Sequence, residues 1–254
     1  MPEHTTFLTY LLSKFPALQH NAELIGYSFI GHRAPTWRSF EPICTAILVV
    51  LFVTLLALRT RSKLADVDRA VIPDDKLTVR TFMEAFVGFF YGIAKDVMGP
   101  KRAKRYFPII GGSACFIFFS NILTLIPGLA PPTSSLNITL GCALGVFIVF
   151  NYYGLQANGF GYIKHLAGPK WYLAWLIFPI EVISTCVRPI TLSIRLMVNM
   201  AVDHLLASIA IGMVAVFIPV PLMFLGAIVI VVQTLVFSLL TSIYIGLATE
   251  HEEH

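Results

Sequence analysis

Long apolar runs with almost no charge inside them constrain this chain more than any other feature. Residues 43–58 (ICTAILVVLFVTLLAL), 107–126 (FPIIGGSACFIFFSNILTLI) and 138–155 are of this kind, and Trp171 to Ala248 is mostly apolar. About 17 to 25 such residues make a helix that crosses a bilayer. Only 13% of the 254 residues are charged, against about 25% in soluble domains. The expected fold is an all-α integral membrane protein, residues 1–254 forming one membrane domain. It has five crossing helices, one in-plane amphipathic helix and a long tilted C-terminal helical hairpin.

The charges between the runs set the topology. The 43–58 run ends against Arg59, Arg61 and Lys63, and Lys and Arg are retained on the cytoplasmic side. About eleven basic residues lie between Arg59 and Arg105 and none between Gly128 and Asn137. The N-terminal segment, 1–41, is therefore expected outside and the C-terminal EHEEH inside. Residues 77–98 carry Phe82, Phe86, Phe89 and Phe90 interrupted by Arg80, Glu84, Lys95 and Asp96. That mixture fits a helix lying in the interface. Residues 107–155 form a helical pair, and 171–248 divides at Pro219 and Pro221 into helices of roughly 45 and 27 residues. The first of these exceeds the roughly 20 residues needed to cross, so it must tilt, kink or lie partly along the membrane.

Several function classes drop out. The net charge of +4 is explained by topology signals, so nucleic acid is not an expected partner. Cys44, Cys115, Cys142 and Cys186 all fall inside apolar runs without the short spacing of a zinc or redox site. No cofactor and no metal are expected. The start lacks a basic, cleavable leader pattern, and the N-terminus is expected to be retained. No glycine-rich phosphate loop is present, so ATP chemistry is not expected in this chain.

Against this background Glu181, Arg188, Arg195, Asp203 and His204 stand out. Each central Arg or Asp in a bilayer is disfavoured by about 2.5 to 3.5 kcal/mol on insertion scales and needs a partner or a wet cavity. An extramembrane loop over 188–204 is the plainer alternative, but 189–202 (PITLSIRLMVNMAV) is apolar apart from Arg195 and small polar residues. On a helix Glu181, Arg188, Arg195 and Asn199 share one narrow stripe, while Asp203 is turned from Arg195 by roughly a quarter revolution and His204 by about half. Arg188, beside Pro189, has room to snorkel to an interface; Arg195 has less. Arg stays charged while His exchanges a proton near neutral pH. Arg195 therefore suits holding a partner's carboxylate ionised, and Asp203, His204 and Glu181 suit a wet access path. Structural hydrogen bonding is the alternative for His204 and Glu181. Gln233 and Tyr244 lie nearly on one line of the last helix, with Thr234, Ser238 and Thr241 on another; such lines more often join helices together.

PITLSIRLMVNM (189–200) resembles the Arg-Leu-x-x-Asn-Met signature of subunit a of F-type ATP synthases. The resemblance extends to IEVIS (180–184), Arg188-Pro189, the Gln233 to Tyr244 spacing, SIYIGLATEHEEH, NILTLIPG (121–128) and LNITLGCALGVFIV (136–149). It implies an F0 stator subunit that works against a rotating ring of small hairpin c subunits, with peripheral-stalk b subunits and a soluble F1 ATPase head in the same complex. It further implies two offset half-channels, with Arg195 between them and Asn199, Gln233 and Tyr244 close by. His204 stands where a Glu or His is usual, but its usual partner position on the last helix is Gly226, and Thr124 stands where some members carry an acidic residue. Asp203 or Glu181 is then the candidate for the missing carboxylate. A bacterial inner membrane is expected, with the mitochondrial inner membrane as the alternative. The competing reading is a self-contained secondary transporter whose intramembrane Arg binds an anionic substrate. Its usual paired repeats are not visible here.

Overall fold

A computed structural model describes residues 41–64, 78–125, 131–159, 171–213 and 219–249. Most of the N-terminal segment, the 65–77 linker and the EHEEH tail lie outside the described residues. The described residues form six α-helices: α1 (Glu41–Leu64), α2 (Val79–Met98), α3 (Pro100–Ile122), α4 (Leu136–Asn158), α5 (Trp171–Met213) and α6 (Pro219–Ala248). Short 3₁₀ turns occupy Leu123–Leu125 and Pro132–Ser134. Helices pair their interior backbone groups within the segment, as a hydrocarbon surrounding demands.

Four of these helices contain stretches long and apolar enough to cross a membrane: Glu41–Arg61, Leu136–Gln156, Trp175–Asp203 and Val220–Ala248. The remaining two are α2, the expected in-plane helix, and α3, which holds the expected second span. Helix α3 begins with Lys101, Arg102, Lys104 and Arg105 before its apolar part. Among its buried residues, Ala103, Tyr106, Ile110, Ala114, Ile117 and Asn121 recur every three or four positions along one helix face, with Cys115 and Ser120 beside that line.

Local chemistry explains the boundaries. Thr78 caps α2, its Oγ1 accepting the Thr81 N–H at 3.4 Å. At the other end Gly99 adopts φ +80° and donates its N–H to the Lys95 carbonyl at 2.9 Å. A side chain would be strained at that φ. Pro100 follows as the first residue of α3, where its missing N–H is no loss. Helix α5 runs through Pro179 and Pro189 without interruption, although each proline removes one hydrogen-bond donor.

The chain divides into two compact units. One unit comprises Leu56–Cys115, Leu140–Arg195 and Gln233–His254. Its core joins Ala94 and Met98 of α2, Ala103, Tyr106 and Ile110 of α3, Phe150 of α4, and Ile245 and Ala248 of α6. Tyr106 packs on Tyr153 at 4.7 Å between centroids, and Tyr91 meets Phe107 edge-on at 5.2 Å. Gly246 allows α6 to approach α2 closely, since a Cβ there would lie 3.1 Å from Met98 Cγ.

The other unit comprises Met1–Leu55, Phe116–Thr139 and Leu196–Val232. Within it Thr133 Oγ1 donates to Asn121 Oδ1 at 2.7 Å, with both residues buried. Phe52 meets Phe119 edge-on at 5.6 Å.

Candidate functional site

Helix α5 has two unlike sides. Thr185, Leu192, Ser193, Leu196 and Met200 are buried, whereas Ile183, Val187, Ile190, Ile194, Val198 and Val202 are left uncovered by the rest of the chain. Two small hydroxyls on the helix are satisfied locally. Ser193 donates to the Ile190 carbonyl at 2.9 Å, and Thr191 donates to those of Val187 and Arg188 at 3.1 and 3.0 Å. Successive residues turn by about 100°, which puts the Glu181, Arg188, Arg195 and Asn199 stripe along the border between the two sides.

The two arginines of that stripe have different surroundings. An Arg188 nitrogen, Nη2, lies 3.7 Å from Glu181 Oε1, and the guanidinium carbon is 5.2 Å from the Tyr244 ring centroid. Tyr244 in turn packs on Phe150 at 6.2 Å. Arg188 thus has a carboxylate and an aromatic face beside it, supplied from α5 and α6 of the same unit. Arg195 is exposed, and among the described residues it has no hydrogen bond, ion pair or ring contact.

The remaining residues singled out from the sequence are spread over both units. Glu181, Arg195, Gln233 and Tyr244 belong to the first unit described above, and Asn199 and Asp203 to the second. Asn199 is half-buried and engaged. Asp203 is half-buried, and its enclosed Oδ2 has no hydrogen-bond partner among the described residues. His204 is helical, with its side chain outside what is described. Gln233 is buried and engaged. The second polar line of α6 is interior: Thr234, Ser238 and Thr241 are all buried, and Ser238 donates to the Thr234 carbonyl at 2.9 Å. At Gly226 an added Cβ would meet nothing within 4 Å, so packing against this chain does not force a glycine there.

Two polar pairs were not singled out from the sequence. Arg80 Nε bonds Glu84 Oε1 at 2.7 Å with Arg80 largely covered, and Asn121 pairs with Thr133. The i, i+4 spacing offered a signal for the first. No local spacing offered one for the second. Among the described residues no group of three or more His, Cys, Asp or Glu side chains could hold a metal ion.

Known proteins match the sequence of this chain over most or all of its length. The profile of the ATP synthase A chain family matches residues 42–246. ATP synthase subunit a of Sorangium cellulosum is 66% identical over 254 residues, covering 100% of both chains. ATP synthase subunit a 1 of Syntrophotalea carbinolica is 36% identical over 244 residues, covering 96% of each chain. ATP synthase subunit a of Aliarcobacter butzleri is 39% identical over 231 residues, covering 90% of this chain and 98% of its own.

Proposed function

This chain belongs to the ATP synthase A chain family, as an integral membrane, proton-translocating subunit of the F0 sector, and we propose that it forms two offset half-channels separated by Arg195. One half-channel brings protons to carboxylates on a rotating ring of c subunits, and the other takes them away. The peripheral-stalk b subunits hold this stator still while the ring turns, and the F1 head carries the ATP chemistry. The membrane is the bacterial plasma membrane, with the N-terminus outside, the C-terminus in the cytoplasm, α2 in the interface and α3 crossing.

The observation that carries this reading is the isolation of Arg195, an exposed guanidinium with no partner in its own chain among the described residues. It is bordered by the uncovered Ile194 and Val198. A cation in apolar surroundings needs a counter-charge, and a ring carboxylate supplies one from outside the chain. Because the guanidinium keeps its proton, it holds that carboxylate ionised without passing a proton across. Asn199, one turn along, offers hydrogen bonds beside the same point. Asp203 and His204 lie beyond it toward one end of α5 and serve the wet path, while Glu181, toward the other end, lies 3.7 Å from Arg188. Gln233 and Tyr244 line the path from α6.

Disulfide cross-linking in the assembled complex tests the orientation, with the four native cysteines replaced. A cysteine at Val198, which is 42% exposed, should couple to one placed a turn from the ring carboxylate, and a cysteine at Ser193, which is fully buried, should not. Coupling from 193 with none from 198 would show that another face of α5 meets the ring.

A further inference from the structure

The two arginines of the α5 stripe are seven residues apart, about 10.5 Å along the helix and about 20° apart around it. A carboxylate passing along this stripe would meet two cations if both guanidinium groups were free. Only one is free: Arg188 is held 3.7 Å from Glu181 and 5.2 Å from the Tyr244 ring centroid, and its side chain is 29% exposed. Arg195 is exposed and has no partner among the described residues.

We propose that Glu181 and Tyr244 act as positioning residues that withdraw Arg188 from the ring-facing stripe, leaving Arg195 as its single working cation. This rests on the half-channel reading given above. Glu181 neutralises the charge of Arg188, and the Tyr244 face covers the guanidinium through a cation–π contact. Phe150 backs the tyrosine ring at 6.2 Å, which limits how far that cover can turn away. Loss of the Glu181 charge would free a long, flexible cationic side chain beside Val187 and Ile190, which are uncovered. Ring carboxylates would then pause at Arg188 as well as at Arg195, and rotation would slow.

The test is the initial rate of ATP-driven proton pumping by the whole complex in vesicles, for Glu181→Gln, Arg188→Gln, the double variant and Arg195→Ala. Glu181→Gln should slow pumping by roughly tenfold, equivalent to about 1.4 kcal/mol on the barrier. The double variant should recover to within about threefold of wild type, because the stray cation is gone; such non-additivity marks residues that act through one another. A double variant as slow as Glu181→Gln would overturn the proposal and make Glu181 a proton carrier in its own right. Wild-type pumping by Glu181→Gln would overturn it too. Should the Glu181 variants fail to assemble, Tyr244→Leu against Tyr244→Phe decides. Leu removes the aromatic face and should be slower, with Arg188→Gln restoring the rate; equal rates for Leu and Phe would refute the role of that face. Normal pumping by Arg195→Ala would instead overturn the half-channel reading itself.

Discussion

Gly246 offers a quantitative test of the packing that holds Tyr244, two residues before it, in place. A Cβ at this position would come 3.1 Å from Met98 Cγ and 4.0 Å from its sulfur. Carbon atoms pack best at about 3.5 to 4.0 Å, so Gly246→Ala pushes Met98 by about half an ångström. Met98 is 2% exposed, with little space to retreat into, but its unbranched thioether chain adapts well. Removing a helical glycine favours the helix by up to about 1 kcal/mol, which offsets the lower end of the 1 to 3 kcal/mol range for overpacking. Gly246→Ala should therefore be nearly neutral. Gly246→Val adds two further methyl groups at the same contact and should destabilise by about 2 to 3 kcal/mol. Followed as the temperature at which the subunit leaves the detergent-solubilised complex, the valine variant should fall by roughly 5 to 10 °C. Adding Met98→Ala should return part of that loss. Equal effects of alanine and valine, or no rescue by Met98→Ala, would refute the close approach of α6 to α2.

Three further outcomes follow from the same geometry. Thr133→Val removes the donor 2.7 Å from Asn121 and should lower stability by about 1 kcal/mol, with a less than additive effect when combined with Asn121→Leu in the same thermal assay. Gln233→Leu should assemble and weaken the coupling of ATP hydrolysis to pumping only mildly; loss of the assembled complex would make the buried Gln233 a packing residue instead. His204→Ala should slow proton flux through vesicles more than it disturbs assembly, because an imidazole can exchange a proton near neutral pH. Unchanged flux from pH 6 to 8 would remove His204 from the path.

Helices were legible in this sequence to the extent that hydropathy and backbone pairing coincide. The long C-terminal pair, expected at roughly 45 and 27 residues with a break at Pro219, is found as helices of 43 and 30 residues, and the 138–155 run lies within Leu136–Asn158. The 43–58 run lies within Glu41–Leu64. There the backbone stays helical through Arg59, Arg61 and Lys63, since charge ends a lipid contact without ending a helix. Helix α3 was only half legible for the same reason. Its basic first turns fall before the expected 107–126 span, although Gly99-Pro100 marks a helix end followed by a helix start.

The site followed a similar division. Helical spacing alone places Glu181, Arg188, Arg195 and Asn199 on one stripe. It cannot assign partners, because Tyr244 reaches Arg188 from another helix 56 positions along the chain. The contrast between a held Arg188 and an isolated Arg195 is therefore set by tertiary contacts. The Asn121–Thr133 pair likewise joins residues twelve positions apart, beyond any local spacing.

The most direct test of Arg195 as the barrier is ATP-driven proton pumping in vesicles carrying Arg195→Ala, alongside passive proton leak through the same membranes once the F1 head is stripped. The predicted result is lost pumping in a fully assembled complex, with a leak that persists or rises because nothing separates the two half-channels. Coupled pumping at the wild-type rate would contradict the account and leave the exposed Arg195 without a role in translocation.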